Sequence, residues 1–250
     1  MGGGWQALAP LVAAPFIGSF LGLLASRMPK GEGVVLGRSR CLSCGTVLGL
    51  VDLVPLISYA ALRGRCRHCD EPIDPLCLLM ELGALGFAAW AVLVLPPALV
   101  WWGCLLAWTL LPLAVIDWRC LRLPDALTLF LGLGGVVFTV TVVPARWLDH
   151  GIGIIAGFTL CWLVAFAHRH GRGREGLGLG DAKLMAAAGA WVGWQGLGSC
   201  LFLAAVIALF GILVAAGLGR RIAADQALPF GPALCLGLWL TWAQGPLLFG

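Results

Sequence analysis

Apolar residues run along this chain in unbroken blocks, without the alternation of strands or the one-sided stripe of soluble helices. Crossing a bilayer takes roughly 20 apolar residues. Blocks of that length predict eight spans, over residues 5–27, 76–95, 98–116, 125–143, 150–167, 182–197, 199–218 and 230–249. The fold class expected is therefore an all-α polytopic membrane protein of about eight transmembrane helices. Only residues 28–75 form a sizeable polar insertion. The expected organisation is a first helix over 1–27, a soluble loop over 28–75 and a seven-helix core over 76–250. The first block lacks a basic stretch before it and a clean cleavage site after it, so it reads as an anchor and not as a signal peptide.

Composition sharpens this. The chain is 60% hydrophobic and 11% charged, less than half the roughly 25% charged residues of a soluble protein. Its 36 glycines and 12 tryptophans suit close helix packing and interfacial anchoring. A formal charge of +4 is too small to indicate nucleic acid, so lipid is the surface partner expected. On the eight-span reading, 15 of the 16 basic residues fall on one side. That side holds the 28–75 loop with Arg27, Lys30, Arg38, Arg40, Arg63, Arg65 and Arg67. It also holds Arg119, Arg122, Arg169, Arg172, Arg174, Lys183, Arg220 and Arg221, leaving only Arg146 opposite. Basic loops stay cytoplasmic, which places the loop inside and both termini outside.

Two cysteine pairs lie in that loop, Cys41-Leu-Ser-Cys44 and Cys66-Arg-His-Cys69, separated by 21 residues. Paired knuckles of this kind bring four thiolates onto one tetrahedral zinc ion, with room for a short hairpin between them. The alternative is two disulfides, which a reducing cytoplasm disfavours. Four cysteine ligands leave no open coordination position, so the metal expected is structural Zn2+. His68, inside the second knuckle, could compete as a ligand but is expected to face solvent. The remaining cysteines, such as Cys104 and Cys161, read as small packing residues.

Most acidic residues have ordinary explanations. Asp52, Asp70, Glu71 and Asp74 belong to the polar loop, and Asp149 and Asp225 to connections. Glu81 lies about a turn inside the second span, facing either the helix interior or the loop. Asp117 and Asp181 stand apart, because both are expected at the cytoplasmic membrane edge. Ionisable groups there are functional candidates. Two carboxylates in one cavity can work as an aspartic protease does, one activating water and the other protonating the scissile carbonyl. The plainer readings are that Asp181 caps its helix, that Asp117 pairs with Arg119 or Arg122, and that Asp125, after Pro124, is a first-turn residue. Gly176, Gly178 and Gly180 clear side chains from the approach to Asp181. No strand precedes this run and no GK[ST] follows it, which excludes a phosphate-binding loop.

The motifs, taken in order, resemble the prepilin peptidases, the type IV leader peptidase family. Gly18-Ser-Phe-Leu21 resembles its GSFLN, Arg38-Ser-Arg-Cys41 with Cys44 its RSxCPxC, and Asp52-Leu-Val-Pro55-Leu-Ile-Ser58 its DNIPLxS. Gly64-Arg-Cys66-Arg-His-Cys69 is similar to GRCRxC. Ile116-Asp117 with Leu123-Pro124-Asp125-Ala-Leu-Thr128 is similar to ID…LPDxLT. Glu175-Gly-Leu-Gly178-Leu-Gly180-Asp181-Ala-Lys183-Leu is similar to EGMGxGDxKL, and Pro229-Phe-Gly-Pro232 to PFGP. The resemblance implies a bilobal membrane aspartic protease, related through its GxGD motif to presenilin-like proteases, with Asp117 and Asp181 catalytic. Gly178, Gly180, Lys183, Pro124 and Asp125 form the supporting motif; by its place two positions past Asp181, Lys183 either orients polar groups or meets lipid headgroups, the second being the role expected. It further implies cleavage after glycine at the cytoplasmic end of a hydrophobic helix in prepilins or the pseudopilins of type II secretion. In many members a second activity N-methylates the new terminus with S-adenosylmethionine. The sequence departs from the pattern at Gly22 and Leu42, which replace an asparagine and a proline, and at Leu53, where a second asparagine is lost. No Rossmann glycine fingerprint marks a site for the methyl donor.

Three rivals belong to other classes. An ion-coupled transporter would bind cations with the same aspartates. A zinc scaffold or methyltransferase would need the cysteines but not Asp117. A zinc metalloprotease would need HExxH, which does not occur.

Overall fold

The structure, a computed structural model, describes residues 4–33, 39–41, 43–172, 178–219 and 228–247. Arg38, Leu42, Arg174, Glu175, Gly176, Arg220, Arg221 and Asp225 lie outside the described residues. Eight α-helices occur among the described residues: α1 Gly4–Arg27, α2 Ile57–Ala61, α3 Pro75–Val94, α4 Val100–Cys120, α5 Asp125–Val142, α6 Trp147–Arg172, α7 Leu179–Gly217 and α8 Gly231–Gln244. Helices are the form such apolar blocks must take, because hydrocarbon offers no partner for an open backbone N–H or C=O. Met1–Pro112 and Leu113–Gly250 form two compact units.

In the first unit α1 and α3 run antiparallel and cross closely. A Cβ at Gly18 would lie 2.6 Å from the Glu81 Cα and from the Met80 carbonyl oxygen, so glycine is what permits the crossing. Gly22 packs on Met80 and Cys77 further along the same face. The Trp108 indole N–H of α4 donates to the Ala84 carbonyl at 3.0 Å. Asp74 starts α3 by accepting the Leu76 amide at 2.9 Å, with Pro75 in the first turn; both are standard helix-start devices.

The second unit is ordered around the first arm of α7. Its register can be read from the contacts. α6 runs antiparallel to the arm, with Gly157 on Met185 and Gly153 on Gly189. α5 runs parallel to it: Gly132 meets Ala187, and the Thr139 hydroxyl donates to the Ala190 carbonyl at 3.1 Å. Large apolar side chains such as Leu133, Ile155 and Phe210 are exposed, as a hydrocarbon solvent requires.

Six helices among the described residues are long and apolar enough to cross a membrane. The eight-span expectation differs from this count in two places. The predicted spans 182–197 and 199–218 are one 39-residue helix, α7, interrupted at Gly193 with φ 67° and ψ 179°. The break falls at Gly193 and not at the predicted 198, because Gly193 takes a left-handed φ that disfavours any side chain. The chain reverses there. Trp242 near the end of α8 stacks edge-on with Trp191 near the end of the first arm, at 5.8 Å. Along the second arm the order is opposite: Gly237 meets Cys200 and Ala204, while Thr241 meets Gly196. The last predicted span, 230–249, is the 14-residue α8. Counting both arms of α7 and the short α8 restores eight apolar segments.

Candidate active site

Asp117 lies one turn before the end of α4 and is buried, with 6% of its surface exposed. The predicted third span stopped at 116; the helix instead carries Asp117 inside it and ends at Cys120. Its Oδ2 accepts the backbone N–H of Gly231, the first residue of α8, at 2.9 Å. That amide comes from 114 residues away in sequence, so the orientation of Asp117 is imposed by tertiary packing.

Asp181 sits at the third helical position of α7. The cap is Gly178, not Asp181: the Asp181 N–H donates to the Gly178 carbonyl at 3.1 Å, and Asp181 Oδ2 accepts the Gly178 N–H at 3.2 Å. Gly180 packs its bare Cα side against Leu123, where a Cβ would lie 3.1 Å from the Leu123 Cβ. The residues between α4 and α5 thus back the glycine motif. Leu123, six residues after Asp117, packs on Gly180, the neighbour of Asp181, so the two aspartates belong to the same end of the second unit.

Lys183 does not stand alone at the headgroup level. Its Nζ bonds Asp125 Oδ1 at 2.6 Å. Pro124 caps α5 and places Asp125 in its first turn, as its position after proline suggested. This ion pair closes one end of a groove of about 480 Å3 between α5, α6 and the first arm of α7. Gly132, Ala186, Ala187 and Ala190 line it with small side chains, and Leu133 and Phe158 with large ones.

In the first unit Cys41, Cys44, Cys66 and Cys69 come together, their sulfurs all within 4.8 Å of one another. The two knuckles are copies of one motif, offset by 25 residues. Cys41 N–H donates to Thr46 O and Cys66 N–H to Glu71 O, each at 2.9 Å. Gly45 N–H returns to Cys41 O and Asp70 N–H to Cys66 O, each at 3.0 Å. Arg40 bridges Val47 as Arg65 bridges Pro72. Gly45 and Asp70 hold the same left-handed φ, 70° and 54°. Sulfurs 3.7 Å apart, as in Cys41 and Cys69, match the edge of about 3.8 Å that a tetrahedral metal–sulfur bond of ~2.3 Å requires. The donor set and its spacing therefore fit a divalent metal of the zinc type. The hydroxyl and amide of Thr46 pull the Cys44 thiol down to about 6. The amides of His68 and Cys69 lower Cys66. The Glu71 amide acts to lower Cys69, but burial and the Cys66, Cys44 and Cys41 sulfurs push it up to about 12. His68 is exposed, as expected.

The gap between the knuckles, long enough for a hairpin, holds helical turns instead among the described residues. Residues 51–53 form a 3-10 turn and Ile57–Ala61 the short α2. Pro55 has no N–H for a ladder, and the Leu56 N–H goes to Glu81 Oε2 at 2.7 Å. Glu81, 6% exposed, is thus the residue of α3 that holds the loop. Asp52 accepts Arg67 Nε at 2.8 Å and the Gly49 amide, and these bonds keep its carboxyl below the usual range.

Comparison with known proteins settles the family. The model of the bacterial peptidase A24 N-terminal domain matches residues 12–95, and that of the type IV leader peptidase family residues 104–214. A prepilin leader peptidase/N-methyltransferase of Burkholderia pseudomallei (strain K96243) is 39% identical over 213 residues, 84% of this chain and 68% of that protein. The protein of that name from Aeromonas hydrophila is 34% identical over 261 residues, 92% of this chain and 87% of its own length. That from Dickeya chrysanthemi is 36% identical over 256 residues, 92% of this chain and 89% of its own. The chain belongs to the type IV leader peptidase family. No solved structure matches it. The ion-coupled transporter reading finds no support in these comparisons.

Two features of this leader peptidase were not assigned from sequence. The knuckle repeat was visible as Arg-Cys-x-x-Cys at both 40 and 65, but was read as two pairs and not as one motif used twice. Gly231 was noticed only as part of the PFGP resemblance; its partner, Asp117, lies in another helix.

Proposed function

We propose that this protein is a membrane aspartic endopeptidase that removes the leader of type IV prepilins or type II secretion pseudopilins, cutting after glycine. The observation that carries the reading is the aspartate pair: two carboxylates from different helices, each tied at Oδ2 by a glycine amide, at one end of the second unit. Asp117 and Asp181 hold the reacting water between their remaining oxygens. One takes a proton as the water attacks the scissile carbonyl, and the other gives its proton to the carbonyl oxygen. Collapse of the tetrahedral diol breaks the C–N bond: the aspartate that took a proton from water gives it to the leaving nitrogen, the other takes a proton from a diol hydroxyl as the acid carbonyl forms, and both regain their starting states.

The distribution of basic residues supports a cytoplasmic position for the knuckle loop and both aspartates, in a bacterial inner membrane. The four sulfurs support structural Zn2+ in the 28–75 loop, between the first helix and the 76–250 core. The relatives' names support a second activity, N-methylation of the new terminus, for which S-adenosylmethionine would supply the methyl group.

The test is cleavage of a prepilin-type peptide by the purified protein in detergent, read by mass spectrometry with and without S-adenosylmethionine. A single cut after glycine is expected, with one methyl added to the new amine when the donor is present. Cleavage elsewhere, or none with a range of prepilin and pseudopilin peptides, would sink the reading.

The groove that starts at Lys183 extends from the aspartate end of α7 into the membrane. It suits the apolar segment of a substrate that continues past the cut. Ala186→Trp, which intrudes on the groove, is expected to raise KM at least about tenfold while kcat holds, since even one methylene in an apolar pocket is worth roughly 10–200-fold. Unchanged KM would remove the groove from substrate binding.

A further inference from the structure

The geometry points to Gly231 as the positioning residue for Asp117: its backbone N–H fixes the carboxylate, and no side chain fits at position 231. The inference rests on the aspartate reading above.

Three observations converge. The Gly231 N–H donates to Asp117 Oδ2 at 2.9 Å in a buried setting. A Cβ at 231 would lie 2.6 Å from Oδ2, 2.8 Å from Cγ and 3.0 Å from Cβ of Asp117. Real Cβ atoms do not approach so closely, so any other residue must push Asp117 away or shift the start of α8. The contact also differs in kind from the one at Asp181. Asp181 receives its amide from Gly178, three residues back, and keeps it as long as the first turn of α7 exists. Asp117 depends on a different helix, the 14-residue α8. Pro232 in the first turn of α8 fixes its own φ and removes one of the terminal donors. The Gly231 amide therefore points at Asp117 from a defined start.

The consequence concerns the chemical step. A carboxylate moved by the clash no longer shares the water with Asp181, and a misplacement of about 1 Å can cost roughly 100-fold. Substrate held in the groove along α5, α6 and α7 should bind as before. A loss confined to kcat is what positioning predicts and what loosened packing does not.

The experiment compares Gly231→Ala with Gly237→Ala. Gly237 also lies on α8, and a Cβ there would meet the Cys200 carbonyl oxygen at 2.6 Å, so that variant disturbs the packing of the same helix without touching Asp117. Gly211, with nothing near its Cβ position, serves as the neutral control. Each is purified in detergent, and its melting temperature, kcat and KM on one cleavable peptide are measured. Gly231→Ala is expected to lose about 100-fold in kcat, with KM within threefold and a melting temperature no lower than that of Gly237→Ala. Gly237→Ala is expected to lose stability and to keep most of its kcat. Equal kcat losses in the two variants, an unchanged kcat in Gly231→Ala, or failure of Gly231→Ala alone to fold would each overturn the proposal. Asp117→Asn separates this from failure of the parent reading. If it still cleaves, the aspartate mechanism is wrong; if it is dead while Gly231→Ala is fully active, only the role of Gly231 is wrong.

Discussion

Asp117→Asn and Asp181→Asn are each expected to bring prepilin-peptide cleavage to background, a loss of at least about 10,000-fold, with the protein still inserted and folded. Acid–base catalysis by one positioned group contributes roughly 100- to 10,000-fold, and here the two groups act as one unit on one water. Removing either should therefore cost as much as removing both, as is general for residues that act together. Asparagine is the informative substitution. Its amide oxygen can still accept the Gly231 N–H at position 117, or the Gly178 N–H at position 181. Alanine at 117 would leave a buried N–H unpaired, at a cost of about 1–3 kcal/mol, and would mix a folding defect into the measurement. The double variant should be no worse than either single one. Cleavage retained by Asp117→Asn or by Asp181→Asn would break the pair, and additive partial losses would mean that the two groups serve different steps.

What the sequence disclosed follows from which interactions are local. Bilayer-length apolar blocks predicted α1, α3, α4, α5 and α6 to within a few residues, because hydrocarbon forces each block to close its own hydrogen bonds. Asp181 and its glycines were legible for the same reason: cap, donor and carboxylate all lie within four consecutive positions. The reversal at Gly193 was not legible, since Trp191-Val-Gly193-Trp is apolar on both sides and hydropathy cannot mark a change of φ. The Lys183–Asp125 pair joins residues 58 apart, and the Gly231–Asp117 bond joins residues 114 apart. Nothing in either segment names its partner. The groove is hidden for a related reason: three alanines and a glycine among its lining read as good packing residues until the neighbouring helices are seen to leave space beside them.

The cysteine loop should behave differently from the aspartates when it is broken. About one zinc per chain is expected on purified protein, and none on Cys41→Ser or Cys66→Ser, by metal analysis after removal of loosely bound ions. Among the described residues the two knuckles share no ladder and are separated by α2, so four metal–sulfur bonds are what would hold one knuckle against the other. Losing them should open the loop to protease while the helices stay intact. A metal held by all four sulfurs would have no open position, so it would take no direct part in peptide hydrolysis. Cleavage of a short peptide by Cys66→Ser is therefore expected to fall about tenfold, not to background, in contrast to the aspartate variants. Acid should mimic the mutation. Metal binding requires all four thiolates, and Cys69, whose thiol sits at about 12 without metal, must give up its proton to bind. Lowering the pH returns that proton, so zinc should leave progressively as pH falls, and bound zinc should be released with protons taken up. If Cys66→Ser cleaves no better than Asp181→Asn and its helices melt normally, the loop has a direct role at the cut. Full zinc occupancy in Cys66→Ser would mean that the four sulfurs are not the metal site.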